Sequence, residues 1–155
     1  MYTIKICEST NEFEKAKRLV YDYIDWLKMN LAFQNVDDEF RKFENMYSKP
    51  GECFLIAVTE KEKILGGVGL RMLTTDICEM KRLFVYPEYL KMGIGKRLCL
   101  ELIIQAKCMG YKKMRLDTIA RLEAANKLYK KLGFYDIEQY RENPDPTAKF
   151  MELKL

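Results

Sequence analysis

The chain has no histidine among its 155 residues. That absence removes imidazole as a general base, the histidine-based triads, and the commonest transition-metal ligand. Five scattered cysteines (Cys7, Cys53, Cys78, Cys99, Cys108) include no close pair, so no metal site is expected. They are odd in number and sit among apolar residues, as reduced core thiols do. No apolar run approaches the roughly 18 residues that span a bilayer, and the start, M-Y-T-I-K-I-C-E, lacks a basic stretch followed by an apolar one. A cytoplasmic protein that does not engage a membrane is expected. The net charge of +4 is small and dispersed, with no basic aromatic surface, so nucleic acid is not expected as a partner.

What is present is an ordinary globular composition, 48% apolar and 32% charged, of a length that fits one domain over residues 1–155. The organising stretch is 78–109. It begins as a strand, is stopped by Pro87, passes through a loop carrying Gly93 and Gly95, and continues as a helix over 93–109 with Leu98, Leu102, Ile103 and Ala106 on one face. Strand, glycine loop and helix start make an anion site. First-turn N–H groups lack intrahelical partners and their dipole favours negative charge. Glycine lets a phosphate approach the backbone.

Around that stretch the periodicities predict further elements. Residues 2–7 alternate as a strand, and Ser9, Thr10 or Asn11 can cap a helix bearing Phe13, Ala16, Leu19, Val20, Tyr23, Ile24 and Leu27 on its apolar face. Tyr21, Tyr23 and Trp26 are expected in the core. Asp37 or Asp38 caps one further helical stretch through Phe40, Phe43 and Met46, ended by Pro50 and Gly51. Cys53–Thr59 and Ile64–Met72 form a hairpin across E-K-E-K, and Gly66, Gly67 and Gly69 inside its second strand signal a bulge or a close backbone approach. After the 93–109 helix, stopped by Gly110, Met114, Leu116 and Thr118 read as a strand parallel to 78–85. A helix through Ala124, Leu128 and Leu132 ends at Gly133; strands at 134–140 and Lys149–Lys154 follow. The fold class is α/β with a mixed sheet: antiparallel first, then one central parallel crossover, with flanking helices.

A dinucleotide-binding reading fails on spacing. Gly93-Ile94-Gly95 opens a helix and Asp117 ends the next strand, but Leu98 stands where a third glycine belongs and the preceding strands are hairpins.

The run L-F-V-Y-P-E-Y-L-K-M-G-I-G-K-R-L (83–98), followed by M-R-L-D-T (114–118) and A-A-N-K-L-Y-K-K-L-G-F (124–134), resembles the GNAT superfamily, the Gcn5-related N-acetyltransferases. The resemblance implies an acetyl-CoA-dependent N-acetyltransferase acting on a primary amine of a small molecule or peptide by direct attack in a ternary complex. A non-catalytic acetyl-CoA-binding sensor or scaffold of the same fold is the alternative. In such enzymes the loop reads Gln or Arg, x, x, Gly, x, Gly or Ala. Here Gly93 and Gly95 match, while Leu90 and Lys91 replace the usual polar residue and the glycine after it. Backbone amides of Lys91, Met92, Gly93, Ile94, Gly95 and Lys96 would hold the pyrophosphate, independently of side-chain identity. Leu83, Phe84 and Val85 would pair their free edge with the pantetheine amides.

The resemblance also assigns catalytic residues. Glu79 matches a general base of the histone-modifying members; a salt bridge to Lys81, Arg82 or another strand is its competing role. Tyr129 matches the tyrosine that protonates the thiolate. The asparagine common seven residues earlier is Leu122 here, which leaves Asn126 as the cofactor-binding candidate. Trp26, Phe33, Gln34, Tyr140, Arg141 and Asn143 would wall the acceptor site. Many members are dimers, and strand edges near the C-terminus allow a homodimer.

Overall fold

The computed structural model describes residues 1–28 and 36–155. Among the described residues the segments follow one another as β1 (Tyr2–Ile6), α1 (Thr10–Leu27), α2 (Val36–Arg41), α3 (Phe43–Tyr47), β2 (Cys53–Thr59), β3 (Ile64–Met72), β4 (Ile77–Val85), a 3₁₀ turn (Pro87–Tyr89), α4 (Ile94–Cys108), β5 (Lys113–Thr118), α5 (Glu123–Leu132), β6 (Tyr135–Ile137) and β7 (Lys149–Lys154). The seven strands form one sheet in the order β1-β2-β3-β4-β5-β7-β6, in which only β4 and β5 run parallel. Among the described residues no helix is long and apolar enough to cross a membrane.

The middle of the sheet is covered on both faces. Leu55, Ala57, Val68, Leu70, Cys78 and Met80 pack with Leu98, Leu102 and Ala106 of α4, whereas Phe54, Ile56 and Val58 pack with Phe13, Leu19 and Val20 of α1 and Phe43 and Tyr47 of α3. This two-sided burial explains why β2 reads as an unbroken apolar run. The glycines of β3 let the second layer settle. A Cβ on Gly67 would stand 2.6 Å from Leu19 Cδ2, and one on Gly69 would stand 2.7 Å from Tyr47 Cε1. The expected bulge in β3 is present against β2, where Leu65 is passed over between the Gly66–Ala57 and Ile64–Val58 pairs; against β4 the extra residue lies on β4, since Gly67 pairs with Phe84 and Gly69 with Lys81.

Three expectations are corrected. The helical stretch after Asp37 is two short helices, because Lys42 leaves helical geometry at ψ 17°. Trp26 is 47% exposed and Tyr21 53%. α1 buries the stripe of Phe13, Ala16, Leu19 and Val20, and Trp26 instead lies over Phe84 of β4, ring centroids 5.7 Å apart. The strand expected over 134–140 is only Tyr135–Ile137, which pairs with β7 before the chain leaves the edge. That departure carries Tyr140 and Arg141 back over the sheet.

Candidate active site

The site forms where β4 and β5 separate. They pair only at Ile77–Lys113, Cys78–Met114 and Glu79–Arg115, after which β5 keeps β7 as its partner and β4 keeps β3. From Met80 onward the β5-facing edge of β4 therefore has no strand beside it. A narrow pocket of about 70 Å³ occupies the fork, lined by Tyr23, Met80, Lys81, Arg82, Leu83, Leu116, Asp117, Leu122, Tyr129 and Asn143 among others.

The β4 bulge decides which side chains face this fork. Arg82 takes φ +62°, in the left-handed region that costs a non-glycine residue about 1–2 kcal/mol. Ahead of it Cys78 and Met80 face α4, while after it Phe84 faces α1 and Leu83 and Val85 pack toward α4. The inserted residue reverses the strand's alternation. Lys81 and Arg82 stand together on the α1 face as a result. Arg82 is buried against Glu39 of α2, donating from Nη2 at 2.7 Å and Nε at 3.2 Å.

At the mouth of the fork, Gly93 caps α4 at φ +74° and Lys91 adopts φ +70°, a left-handed conformation that glycine takes more readily than lysine. Among the described residues the N–H groups of residues 91–96 donate to no backbone carbonyl; Arg97 is the first to do so, to Gly93 at 3.1 Å. A Cβ at Gly95 would meet only Leu128 and Val85, both at 3.8 Å, so packing within the protein does not demand glycine there. Lys91, Met92 and Lys96 are exposed and Ile94 is buried. Arg97 is turned away over the ring of Tyr2, 4.8 Å from its centroid.

The predicted side chains divide between two depressions. Tyr129 is 7% exposed and lines the narrow pocket, and among the described residues its hydroxyl has no hydrogen-bond partner. Burial holds that phenol well above its ordinary pKa, hence protonated. Glu79, 2% exposed, lines instead an adjoining groove of about 300 Å³ with Arg71, Met72, Leu73, Lys81, Tyr140 and Arg141. Its carboxylate accepts from Tyr140 Oη at 2.6 Å and from Arg141 Nη1 at 2.9 and 3.0 Å. Lys81 lines both depressions. Burial, then the charge of Arg82, lowers its ammonium to about 8.

The other candidates are engaged locally. Asn126 accepts from Thr118 Oγ1 at 2.7 Å and donates to the Ile119 carbonyl at 2.9 Å, tying α5 to the end of β5. Asn143 donates to Asp117 at 3.1 Å inside the fork. Phe33 and Gln34 lie outside the described residues. Sequence reasoning gave Lys81 no role of its own. The alternation of β4 put it on the face of Glu79, but nothing local announced that Arg141 would take the carboxylate.

Residues 16–134 match the family model described as the acetyltransferase (GNAT) family. An uncharacterised N-acetyltransferase of Schizosaccharomyces pombe is 37% identical over 98% of this chain and 92% of its own length. Among solved structures, an acetyltransferase of the GNAT family from Staphylococcus aureus superposes with a TM-score of 0.82 at 21% identity, covering 99% of both chains. An acetyltransferase from Salmonella typhimurium, solved with its cofactor acetyl-CoA, gives 0.75 at 18% identity over 99% of this chain and 94% of that one. With the fork, the unpaired amides at the start of α4 and the buried tyrosine already in place, these matches make the chain a member of the GNAT family of acetyltransferases.

Proposed function

We propose that the chain transfers the acetyl group of acetyl-CoA to a primary amine by direct attack within a ternary complex. The observation that carries this reading is the buried Tyr129 hydroxyl, unpartnered among the described residues, in the fork between β4 and β5. A buried polar group without a partner calls for one.

The donor's chemistry fits what surrounds the fork. The unpaired N–H groups of residues 91–96 suit a pyrophosphate, and the free edge of Leu83, Phe84 and Val85 suits the two amides of pantetheine. Acetyl-CoA bound there supplies a thioester as acyl donor. The bond from acetyl carbon to sulfur breaks, a bond to the amine nitrogen forms, Tyr129 gives its proton to the departing thiolate, and the proton that the nitrogen sheds on becoming an amide returns to the Tyr129 oxygen. Glu79 takes a positioning role, since three hydrogen bonds from Tyr140 and Arg141 occupy its carboxylate and it lines the groove, not the fork. The acceptor enters as the free amine, having lost its proton to solvent through the groove. Free thiols throughout suit a reducing compartment such as the cytoplasm.

The test is release of CoA thiol from acetyl-CoA with a panel of primary amines. Amine-dependent turnover with formation of the acetamide is expected. Stabilisation by acetyl-CoA without turnover on any amine would favour the binding-module alternative.

A further inference from the structure

The groove beside the fork has a charge pattern that the transfer reaction alone does not require. Each of the three arginines that line the groove or the fork is matched with one carboxylate. Arg71 pairs with Glu52, Arg82 with Glu39 at 2.7 Å, and Arg141 with Glu79 at 2.9 Å. Lys81 is the exception: among the described residues no carboxylate lies within 4.0 Å of it, and residues 29–35 contain no Asp or Glu.

A lysine in this position is costly to keep charged. It is half-buried and sits beside Arg82, and Glu79 on its own strand face is spent on Arg141 and Tyr140. Buried charges are ordinarily paired within the protein. Lys81 stands at the wall shared by fork and groove, so an anion arriving through the groove would complete the pattern. Arg141 adds to it. Only its Nη1 is recorded in a hydrogen bond, which leaves Nε and Nη2 without a partner among the described residues. Met72 and Leu73, 46% and 40% exposed, give the groove an apolar outer wall.

Resting on the acetyltransferase reading, we infer that the acceptor is a small amine bearing a carboxylate, of the amino-acid class, and that Lys81 with Arg141 anchors that carboxylate while the amine reaches into the fork beside Tyr129. The carboxylate takes the place of the counter-ion that Lys81 lacks. The aliphatic part of the acceptor lies against Met72 and Leu73. Lys81 is thus a specificity residue for the acceptor. The donor's own contacts, on the backbone of residues 83–85 and 91–96, do not involve its side chain.

The experiment compares L-amino acids and β-alanine, each beside its own primary amide, as acceptors with acetyl-CoA. An α-amino amide holds more of its nitrogen as free amine at neutral pH, so acceptor basicity alone would favour the amides. The expected result is at least about a tenfold higher kcat/KM for the carboxylates, carried mainly in KM, the scale of a charge-assisted hydrogen bond. In Lys81→Met this ratio collapses while acetyl-CoA still binds, and Lys81→Arg restores most of it. Amides used as well as carboxylates, or a ratio that Lys81→Met leaves intact, overturns the anchor while leaving acetyl transfer standing. A protein that binds acetyl-CoA but acetylates neither series overturns both.

Discussion

Glu39 of α2 accepts two hydrogen bonds from Arg82, at 2.7 and 3.2 Å, and so fastens a helix to the one residue of β4 with positive φ. Both partners are buried, and Tyr47 Oη donates to the same carboxylate at 3.1 Å. Burial pushes the Glu39 carboxyl up, but the charge and hydrogen bonds of Arg82 outweigh that and hold it below its ordinary value of 4.5. Removing one member of such a pair strands the other. Glu39→Ala is expected to lower unfolding free energy by about 3–5 kcal/mol in urea titrations. Glu39→Met combined with Arg82→Leu should cost less than Glu39→Ala alone.

The start of α1 carries a complete capping box. Ser9 Oγ accepts from the Glu12 N–H at 3.1 Å, Glu12 accepts from the Ser9 N–H at 3.0 Å, and Lys5 lies 2.5 Å from the same carboxylate. Ser9→Ala should cost about 1 kcal/mol. The Lys5 contact first, then the N–H groups of Ser9 and Glu8, lower the Glu12 pKa from 4.5 to about 2. Glu12 is depressed in the fold, so its contribution is present above pH 4.5 and lost as pH falls toward 2. Glu12→Gln is expected to flatten the loss of stability across that window.

Gly67 is the close approach between sheet and α1. An alanine Cβ there would stand 2.6 Å from Leu19 Cδ2 and 2.8 Å from the Leu55 carbonyl oxygen. The carbonyl cannot move without disturbing the β2–β3 ladder. Gly67→Ala should destabilise by about 1–3 kcal/mol, whereas Gly95→Ala, with contacts no closer than 3.8 Å, should leave thermal stability within about 0.5 kcal/mol of the parent.

Tyr129→Phe tests the proton donor. The ring would still pack against Phe134, whose centroid is 5.8 Å away, so folding and acetyl-CoA affinity should hold. The expected effect is a fall of about 100-fold in kcat. An unchanged kcat, with chemistry shown to be rate-limiting by single-turnover kinetics, would remove the residue from the mechanism.

The ammonium of Lys81, lowered to about 8, gives acceptor selectivity a pH signature. Arg82 and Arg141 push it down while Glu79 and Glu39 push it up, and burial dominates. A cationic anchor is present below pH 8 and lost above it. The ratio of kcat/KM for an amino acid to that for its amide, each expressed per concentration of free-amine acceptor, should therefore fall as pH rises through about 8. Taking the ratio removes groups common to both reactions, and the transition should vanish in Lys81→Met.

Much of the architecture was legible because it rests on local signals. The apolar runs at Cys53–Thr59, Ile64–Met72 and Lys149–Lys154 bound their strands to the residue, and Gly110 and Gly133 stop their helices at positive φ. The loop before α4 was legible for the same reason, since a glycine cap and unpaired first-turn amides follow from the chain's own sequence.

The side-chain arrangement of the site was not legible, because it depends on which distant segments meet. Glu79 could be placed on a strand face, but its partner Arg141 is 62 residues away and arrives only because β6 stops at Ile137. Tertiary structure alone turned Arg82 into the bulge that sets it beside Lys81, gave it Glu39 from 43 residues upstream, and left Lys81 without a carboxylate among the described residues. Local periodicity determines where backbone hydrogen bonds run. Which charges are matched and which are left for a ligand is determined by long-range packing, which brings Arg141 to Glu79 and Arg82 to Glu39.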